Sequence, residues 1–172
     1  MAHIHLIEGP VGSGKSTFAS KLSKELRAPH INLDDWMAIL FIPDRPSVDI
    51  AAWYMERKDR CIDQIWKTAV ELLSTGSDVI LELGLIREAD RQQFFERVDA
   101  SAFGMKIYVL DAPRHIRKER VLARNRQQGK TFSMEVPDHI FELASDMWEP
   151  IEQMECRSYR LTFISTADQP PL

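Results

Sequence analysis

The stretch GPVGSGKS, residues 9–16, fits the pattern G-x-x-x-x-G-K-[ST] at every fixed position. It follows an apolar run at residues 4–7 and precedes residues 17–22, which read as the start of a helix. A strand, a glycine-rich loop and a helix in this order predict a phosphate-binding P-loop. Backbone N–H groups and the positive end of the helix surround an anion in such a loop. The motif therefore predicts a nucleoside triphosphate site.

The chemistry of a P-loop assigns roles to its residues. We expect Lys15 to reach the β- and γ-phosphates, and Ser16 to offer its hydroxyl to Mg²⁺. ATP and Mg²⁺ are thus the predicted cofactors. The predicted nucleotide-binding residues in this stretch are Gly9, Gly12, Ser13, Gly14, Lys15, Ser16 and Thr17.

Composition restricts the classes of protein to consider. The chain has 172 residues, a formal net charge of −4 and 44% hydrophobic residues, which predicts one soluble domain over residues 1–172. An acidic balance disfavours broad binding to a nucleic acid backbone. Cys61 and Cys156 have no metal or redox spacing, as in reduced cytoplasmic proteins. With no signal peptide or membrane span evident, we expect a cytoplasmic protein without a membrane partner, and no protein partner is evident.

Apolar runs and helical periodicity alternate along the chain. This order predicts a five-stranded parallel sheet with helices on both faces, the α/β fold of P-loop NTPases. The predicted strands are 3–7, 29–33, 79–81, 106–110 and 160–164. The predicted helices are 15–26, 51–73, 87–98, 113–128 and 137–148.

Carboxylates lie just after three predicted strands, where ligands of such sheets bind. Asp34, followed by Asp35, could take the proton from an alcohol acceptor or cap the next helix. Glu82 could hold Mg²⁺ or its water, or bind the acceptor, or be an ordinary solvated residue. Asp111 is expected to cap the helix that follows Pro113.

A basic segment and an aromatic cluster complete the candidate site. The segment 114–130 carries seven Lys and Arg residues against one acid, and Arg120 and Arg124 fall on one helical face. These arginines could stabilise the transferring phosphoryl group, or the charges could simply be solvated. Residues 127–131 read as a mobile lid loop. Trp36, Met37 and Trp53 belong either to the core or to an acceptor pocket.

The motifs in this order resemble those of small P-loop kinases. The quoted segments are residues 9–17, INLDDW at 31–36, Glu82 and VLARNRQQG at 121–129. The resemblance is closest to the kinase domain of polynucleotide 5′-hydroxyl kinases, and more distant to chloramphenicol phosphotransferase, zeta toxins, and gluconate and shikimate kinases. It implies that Asp34 is the base, that Glu82 orders the acceptor, and that lid arginines Arg120 and Arg124 hold the phosphates.

Departures from the polynucleotide kinase pattern bear on the acceptor. Met37 stands where those kinases place an Arg for the acceptor's phosphate, and Gln128 stands where the lid has another Arg. The resemblance implies a nucleoside-monophosphate-kinase-like fold with an arginine-rich lid at 113–136 and an acceptor region at 34–75. The predicted function is transfer of the ATP γ-phosphate to a hydroxyl of a small molecule. A polynucleotide 5′-hydroxyl kinase and a nucleotide-dependent switch or ATPase acting on a protein partner are the alternatives. The predicted acceptor residues are Asp34, Asp35, Trp36, Met37, Trp53 and Glu82, and the predicted metal ligands are Ser16 and Glu82.

Overall fold

The computed structural model describes residues 2–129, 132–152, 155 and 159–168. Strands and helices alternate in it as the sequence predicts. The strands are β1 (His3–Glu8), β2 (His30–Asn32), β3 (Val79–Glu82), β4 (Gly104–Asp111) and β5 (Arg160–Ser165). The helices are α1 (Lys15–Leu26), α2 (Leu33–Leu40), a 3₁₀ turn (Ile42–Asp44), α3 (Ile50–Ser74), α4 (Glu88–Asp99), α5 (Arg114–Gln127) and α6 (Asp138–Met147).

The five strands form one parallel sheet in the order β2-β3-β1-β4-β5. Leu6 pairs with Leu81 on one side and with Ile107 on the other, so β1 lies at the centre. Because parallel strands end at the same edge, the P-loop after β1 and the residues after β2 and β3 meet there. The predicted five-stranded parallel sheet of a P-loop NTPase is thus confirmed, whereas the arginine-rich lid stays a prediction.

Two apolar clusters cover the two faces of the sheet. The larger cluster joins alternate residues of β1, β3 and β4 to α2, α3 and α4, and the smaller one joins the opposite residues to α1. Helix α3 contributes a buried stripe at Cys61, Ile65, Ala69 and Leu73, spaced four residues apart. This spacing keeps one side of the helix on the sheet, and it positions the start of α3 beside the edge that carries the P-loop.

The region between β2 and α3 differs from the sequence prediction in detail. A short separate helix, α2, begins directly after Asn32, whose side chain accepts a hydrogen bond from the Asp34 N–H at 2.8 Å. Asn32 is therefore the N-cap, and the prediction that Asp34 could cap this helix is wrong. The cap of α5 is Pro113 rather than Asp111, whose Oδ1 accepts from the adjacent Ala112 N–H. Among the described helices, none combines the length and the apolar character needed to cross a membrane.

Candidate active site

Close backbone packing fixes the P-loop. A Cβ atom on Gly9 would lie 2.2 Å from the carbonyl oxygen of Leu110, and one on Gly12 would lie 2.5 Å from that of Arg117. Both glycines also have positive φ angles, 145° and 80°, which side chains disfavour. The absence of side chains at Gly9 and Gly12 thus lets the loop pack directly against β4 and α5.

The Lys15 side chain folds back over the loop. Its Nζ donates to the carbonyl oxygens of Gly9 at 2.8 Å and Pro10 at 3.1 Å. A phosphate offers a stronger, charge-assisted partner to an ammonium group than a neutral carbonyl does. Lys15 is therefore within reach of any phosphate held by the loop.

Ser16 and Glu82 contact each other across the sheet edge. The Ser16 Oγ donates to Glu82 Oε1 at 2.9 Å, and Glu82 is 5% exposed. The other oxygen of Glu82 lies 3.2 Å from Nε2 of His30 and 3.4 Å from Nδ2 of Asn32. These neighbours fix the carboxylate in place beside the first turn of α1.

A hydroxyl and a carboxylate are donors of the kind that Mg²⁺ takes. In the part of the chain that the structure describes, no group of three or more His, Cys, Asp and Glu residues is arranged to hold a metal ion. Mg²⁺ is commonly held by one or two protein oxygens together with substrate phosphates and waters. The pair of Ser16 and Glu82 therefore fits a Mg²⁺ ion that arrives with a nucleotide.

Asp34 lies in the first turn of α2, close to these groups. Because surrounding protein reduces its solvation and Glu82 is nearby, the pKa of Asp34 is raised above its usual range, against the opposing charges of Lys15 and Arg124. The residue is nevertheless exposed, so water reaches the carboxyl group and limits the shift. Asp34 thus presents a carboxylate to the open side of the sheet edge.

Arg124 reaches the same place from α5. Desolvation lowers its pKa, while the charges of Asp34 and Glu82 raise it. Its buried Nε has no hydrogen-bond partner among the described residues. A buried guanidinium N–H that lacks a hydrogen-bond partner would gain one from a phosphate oxygen of a bound nucleotide.

The remaining basic residues of α5 have different positions. Arg120 donates to Oγ1 and the carbonyl oxygen of Thr166, at 3.0 and 2.5 Å, in the loop after β5. The structure therefore brings Arg124, rather than Arg120, near Asp34. Arg114 and Lys118 form ion pairs with acids of α6. Lys130 lies outside the described residues.

Among the predicted acceptor residues, Asp35, Trp36 and Trp53 are at least partly exposed, whereas Met37 is buried. Asp35 accepts a hydrogen bond from Ser133 Oγ, which follows the predicted lid loop. Trp36 and Trp53 are half-buried, and the guanidinium of Arg57 lies 4.7 Å from the Trp53 ring centroid. Met37 is fully buried in the larger core cluster. Its side chain therefore packs against the core rather than against an acceptor.

Sequence reasoning missed several residues at this edge. Arg117 is buried and donates to the carbonyl oxygens of Val11 at 2.9 Å and Ala112 at 3.0 Å. It therefore links the P-loop to the segment that follows β4. The sequence indicates no role for His30, although strand pairing aligns Asn32 with Glu82 and brings His30 near that carboxylate. Glu8 is fully buried at the end of β1. The only sequence signal for it was a carboxylate directly between an apolar strand and the P-loop.

Comparisons with known proteins agree with this geometry. Residues 4–151 match the AAA_33 family, described as an AAA domain. A search of curated protein sequences finds no match.

Three solved structures are similar in fold. A candidate kinase from Chloroflexus aurantiacus has a TM-score of 0.74 and 19% identity, with 97% of this chain and 86% of that chain covered. A gluconokinase from Sinorhizobium meliloti has a TM-score of 0.62 and 16% identity, covering 98% and 84%. A chain of the Pnkp1/Rnl/Hen1 RNA repair complex has a TM-score of 0.63 and 21% identity, covering 85% of this chain and 43% of that chain. The resemblance to small P-loop kinases is thereby confirmed, and the chain belongs to the AAA_33 family, with the fold of P-loop kinases.

Proposed function

We propose that the protein is an ATP-dependent phosphotransferase that moves the γ-phosphoryl group to a hydroxyl of a small molecule. One observation carries the proposal: Asp34 and Arg124 lie beside the P-loop lysine and the contact between Ser16 and Glu82. Phosphoryl transfer requires positioned groups and positive charge around the γ-phosphate, with little covalent chemistry from the protein. These residues supply both.

Each residue has a role in this proposal. Lys15 exchanges its bonds to the loop carbonyls for the phosphates, and Arg124 offers its unpaired N–H to the phosphoryl group in transfer. Asp34 accepts the proton of the attacking hydroxyl. Ser16 and Glu82 hold Mg²⁺, which when bound neutralises phosphate charge.

Two features support a small acceptor. Met37, which follows Trp36 in α2, is buried and uncharged. This turn of α2 therefore offers no cation at that position to a phosphate of a polymer. The formal net charge of −4 gives no broad attraction for nucleic acid either.

The test is ADP formation with ATP and Mg²⁺ across a panel of acceptors. The panel contains sugars and sugar alcohols, nucleosides, hydroxylated antibiotics and 5′-hydroxyl oligonucleotides. We expect one small-molecule class to stimulate turnover at least tenfold over the rate without acceptor, with the label of γ-phosphate-labelled ATP found on that compound.

The other outcomes separate the alternatives. Stimulation by oligonucleotides alone would replace the small acceptor with a polynucleotide 5′ end. Tight ATP binding with steady hydrolysis that no acceptor changes would favour a nucleotide-dependent switch, and protein partners would then be tested for stimulation.

A further inference from the structure

The carboxyl group of Glu8 has no partner that explains its burial. Glu8 is the last residue of β1 and shares a strand face with Ile4 and Leu6, which pack towards α3 and α4. It is fully buried, and neither of its carboxylate oxygens has a hydrogen-bond partner within the described residues. A buried polar group without a partner is rare in folded proteins and costs free energy.

The nearest cations are engaged elsewhere. Lys15 donates to two P-loop carbonyls, and Arg91 donates to both oxygens of Glu155, at 2.5 and 3.1 Å. Lys58 Nζ lies 3.4 Å from Asp90 Oδ2. All three cations act on the carboxyl group of Glu8 through their charge, and no hydrogen bond from them to that group is present. An ion pair therefore does not account for a carboxyl group at this position.

Glu8 and Asp34 share two charged neighbours at this edge of the sheet. Both are within electrostatic reach of Lys15 and Glu82. Beyond these shared neighbours, Asp34 interacts with Arg124 of α5, whereas Glu8 interacts with cations of α3 and α4. A molecule placed next to Lys15 and Asp34 on the α3 side therefore comes close to Glu8.

We infer that Glu8 binds a second hydroxyl group of the acceptor, and that the acceptor is a small polyhydroxylated compound of the sugar or sugar-alcohol class. This inference rests on the proposed phosphotransferase function and names its substrate class. One hydroxyl of the acceptor lies at Asp34 and takes the phosphoryl group. A neighbouring hydroxyl donates a hydrogen bond to one of the two unpaired oxygens of Glu8. Because those oxygens are shielded from water in the empty protein, the acceptor displaces the groups that cover them.

A further observation fits a polar acceptor. Burial raises the pKa of Glu8 to about 8, and a neutral carboxyl group both donates and accepts, as a hydroxyl does.

The test combines deletion of the Glu8 carboxyl group with deletion of acceptor hydroxyls. The polyol that the wild type phosphorylates best, from glycerol, ribitol, D-glucose and D-gluconate, is compared with its deoxy analogues. Each compound is assayed with the wild type, with Glu8→Leu, and with Glu71→Gln as a matched control on the exposed side of α3. We expect Glu8→Leu to lower kcat/KM about 10- to 100-fold, with ATP affinity within threefold of the wild type.

The two deletions should not add. One deoxy analogue should lose about as much with the wild type as Glu8→Leu loses with the parent polyol, and the same analogue should lose little further with Glu8→Leu. Rescue of at least half of the loss, on a logarithmic scale, is expected from Glu8→Gln, since its amide oxygen still accepts a hydrogen bond. Fully additive losses, or kcat/KM unchanged in Glu8→Leu, would overturn the inference.

Failure of this inference and failure of the proposed function give different results. Phosphorylation of monohydric alcohols as well as polyols would overturn the role of Glu8 and leave the phosphotransferase in place. No acceptor-dependent turnover with any compound would overturn both. If Glu8→Leu does not fold, infrared difference spectra of the wild type with and without the polyol replace this comparison. The carboxyl band of Glu8 is expected to shift on polyol binding and to be absent in Glu8→Gln. A band that does not shift would contradict the inference.

Discussion

The buried carboxyl group of Glu8 makes a sharp prediction about stability against pH. Its pKa is about 8 in the folded chain, chiefly through desolvation, against an ordinary value of 4.5. A group whose pKa is raised on folding stabilises the fold below the ordinary pKa, and that contribution is lost as the pH rises through the folded pKa. The free energy of unfolding should therefore fall between pH 5 and pH 8 on account of this one group.

The size of the effect follows from the two pKa values. Each unit of difference corresponds to about 1.4 kcal/mol, so the fold loses on the order of 3 kcal/mol between pH 5 and pH 8, because Glu8 ionises in the unfolded chain while it stays largely protonated in the folded one. Such a loss is a large part of the stability of an ordinary domain, about 5–15 kcal/mol. Glu8→Gln removes the ionisation while keeping the shape of the side chain.

The assay is urea unfolding of the wild type and Glu8→Gln at pH 5, 6.5 and 8, without nucleotide. The two chains should have similar free energies of unfolding at pH 5, and the variant should be more stable by roughly 3 kcal/mol at pH 8. Other titrations, such as that of buried His5, whose pKa is lowered by burial, occur in both chains and cancel in the difference. Parallel stability curves for the two chains across this pH range would refute the reasoning.

Three further predictions concern the P-loop and the lid. Gly12→Ala places a Cβ 2.5 Å from the Arg117 carbonyl oxygen at a φ of 80°. It should therefore lower the free energy of unfolding by roughly 2 kcal/mol or more, measured by denaturation, and weaken ATP binding at least tenfold, measured by calorimetry. An ATP affinity equal to that of the wild type would contradict the tight packing. Arg117→Met removes the donor to the Val11 carbonyl and should weaken ATP binding about tenfold in the same titration, with a smaller effect for Arg117→Lys. Equal ATP affinities for the wild type and both variants would show that the P-loop does not need the hydrogen bond from Arg117. A non-hydrolysable ATP analogue should slow amide hydrogen exchange in the segment 126–135 severalfold, because Arg124 draws the end of α5 towards the phosphates; unchanged exchange would leave this arginine without a lid role.

Local patterns explain what the sequence predicted well. The P-loop depends on a contiguous motif between a strand and a helix, and the sheet follows from alternating apolar periodicities, so neither required knowledge of distant contacts. Glu82 was predicted from its place directly after a buried strand. Its contact with Ser16 then follows from the pairing of β1 with β3, since both residues lie at the carboxyl edge.

Contacts between distant segments explain what the sequence did not reveal. Arg117 is 106 residues from Val11 in the chain, and the basic run to which it belongs does not show which of its arginines contacts the P-loop. The core position of Met37 depends on how α2 rotates after its Asn32 cap. No local pattern marks Glu8 as buried, because its burial arises only when α3 and α4, which are distant in the chain, cover that face of the sheet. The catalytic and binding roles of all these residues stay predictions.

The most direct test of the proposed phosphotransferase replaces the carboxylate that would take the proton. With the acceptor that gives the highest turnover, Asp34→Asn should lower kcat by a factor on the order of 10² or more while the Kd for ATP stays within about threefold of the wild type. Glu71→Gln, an exposed substitution on α3, should change neither value. A kcat for Asp34→Asn close to that of the wild type would contradict the account, because the sheet edge would then transfer the phosphoryl group without the carboxylate placed beside Lys15 and Arg124.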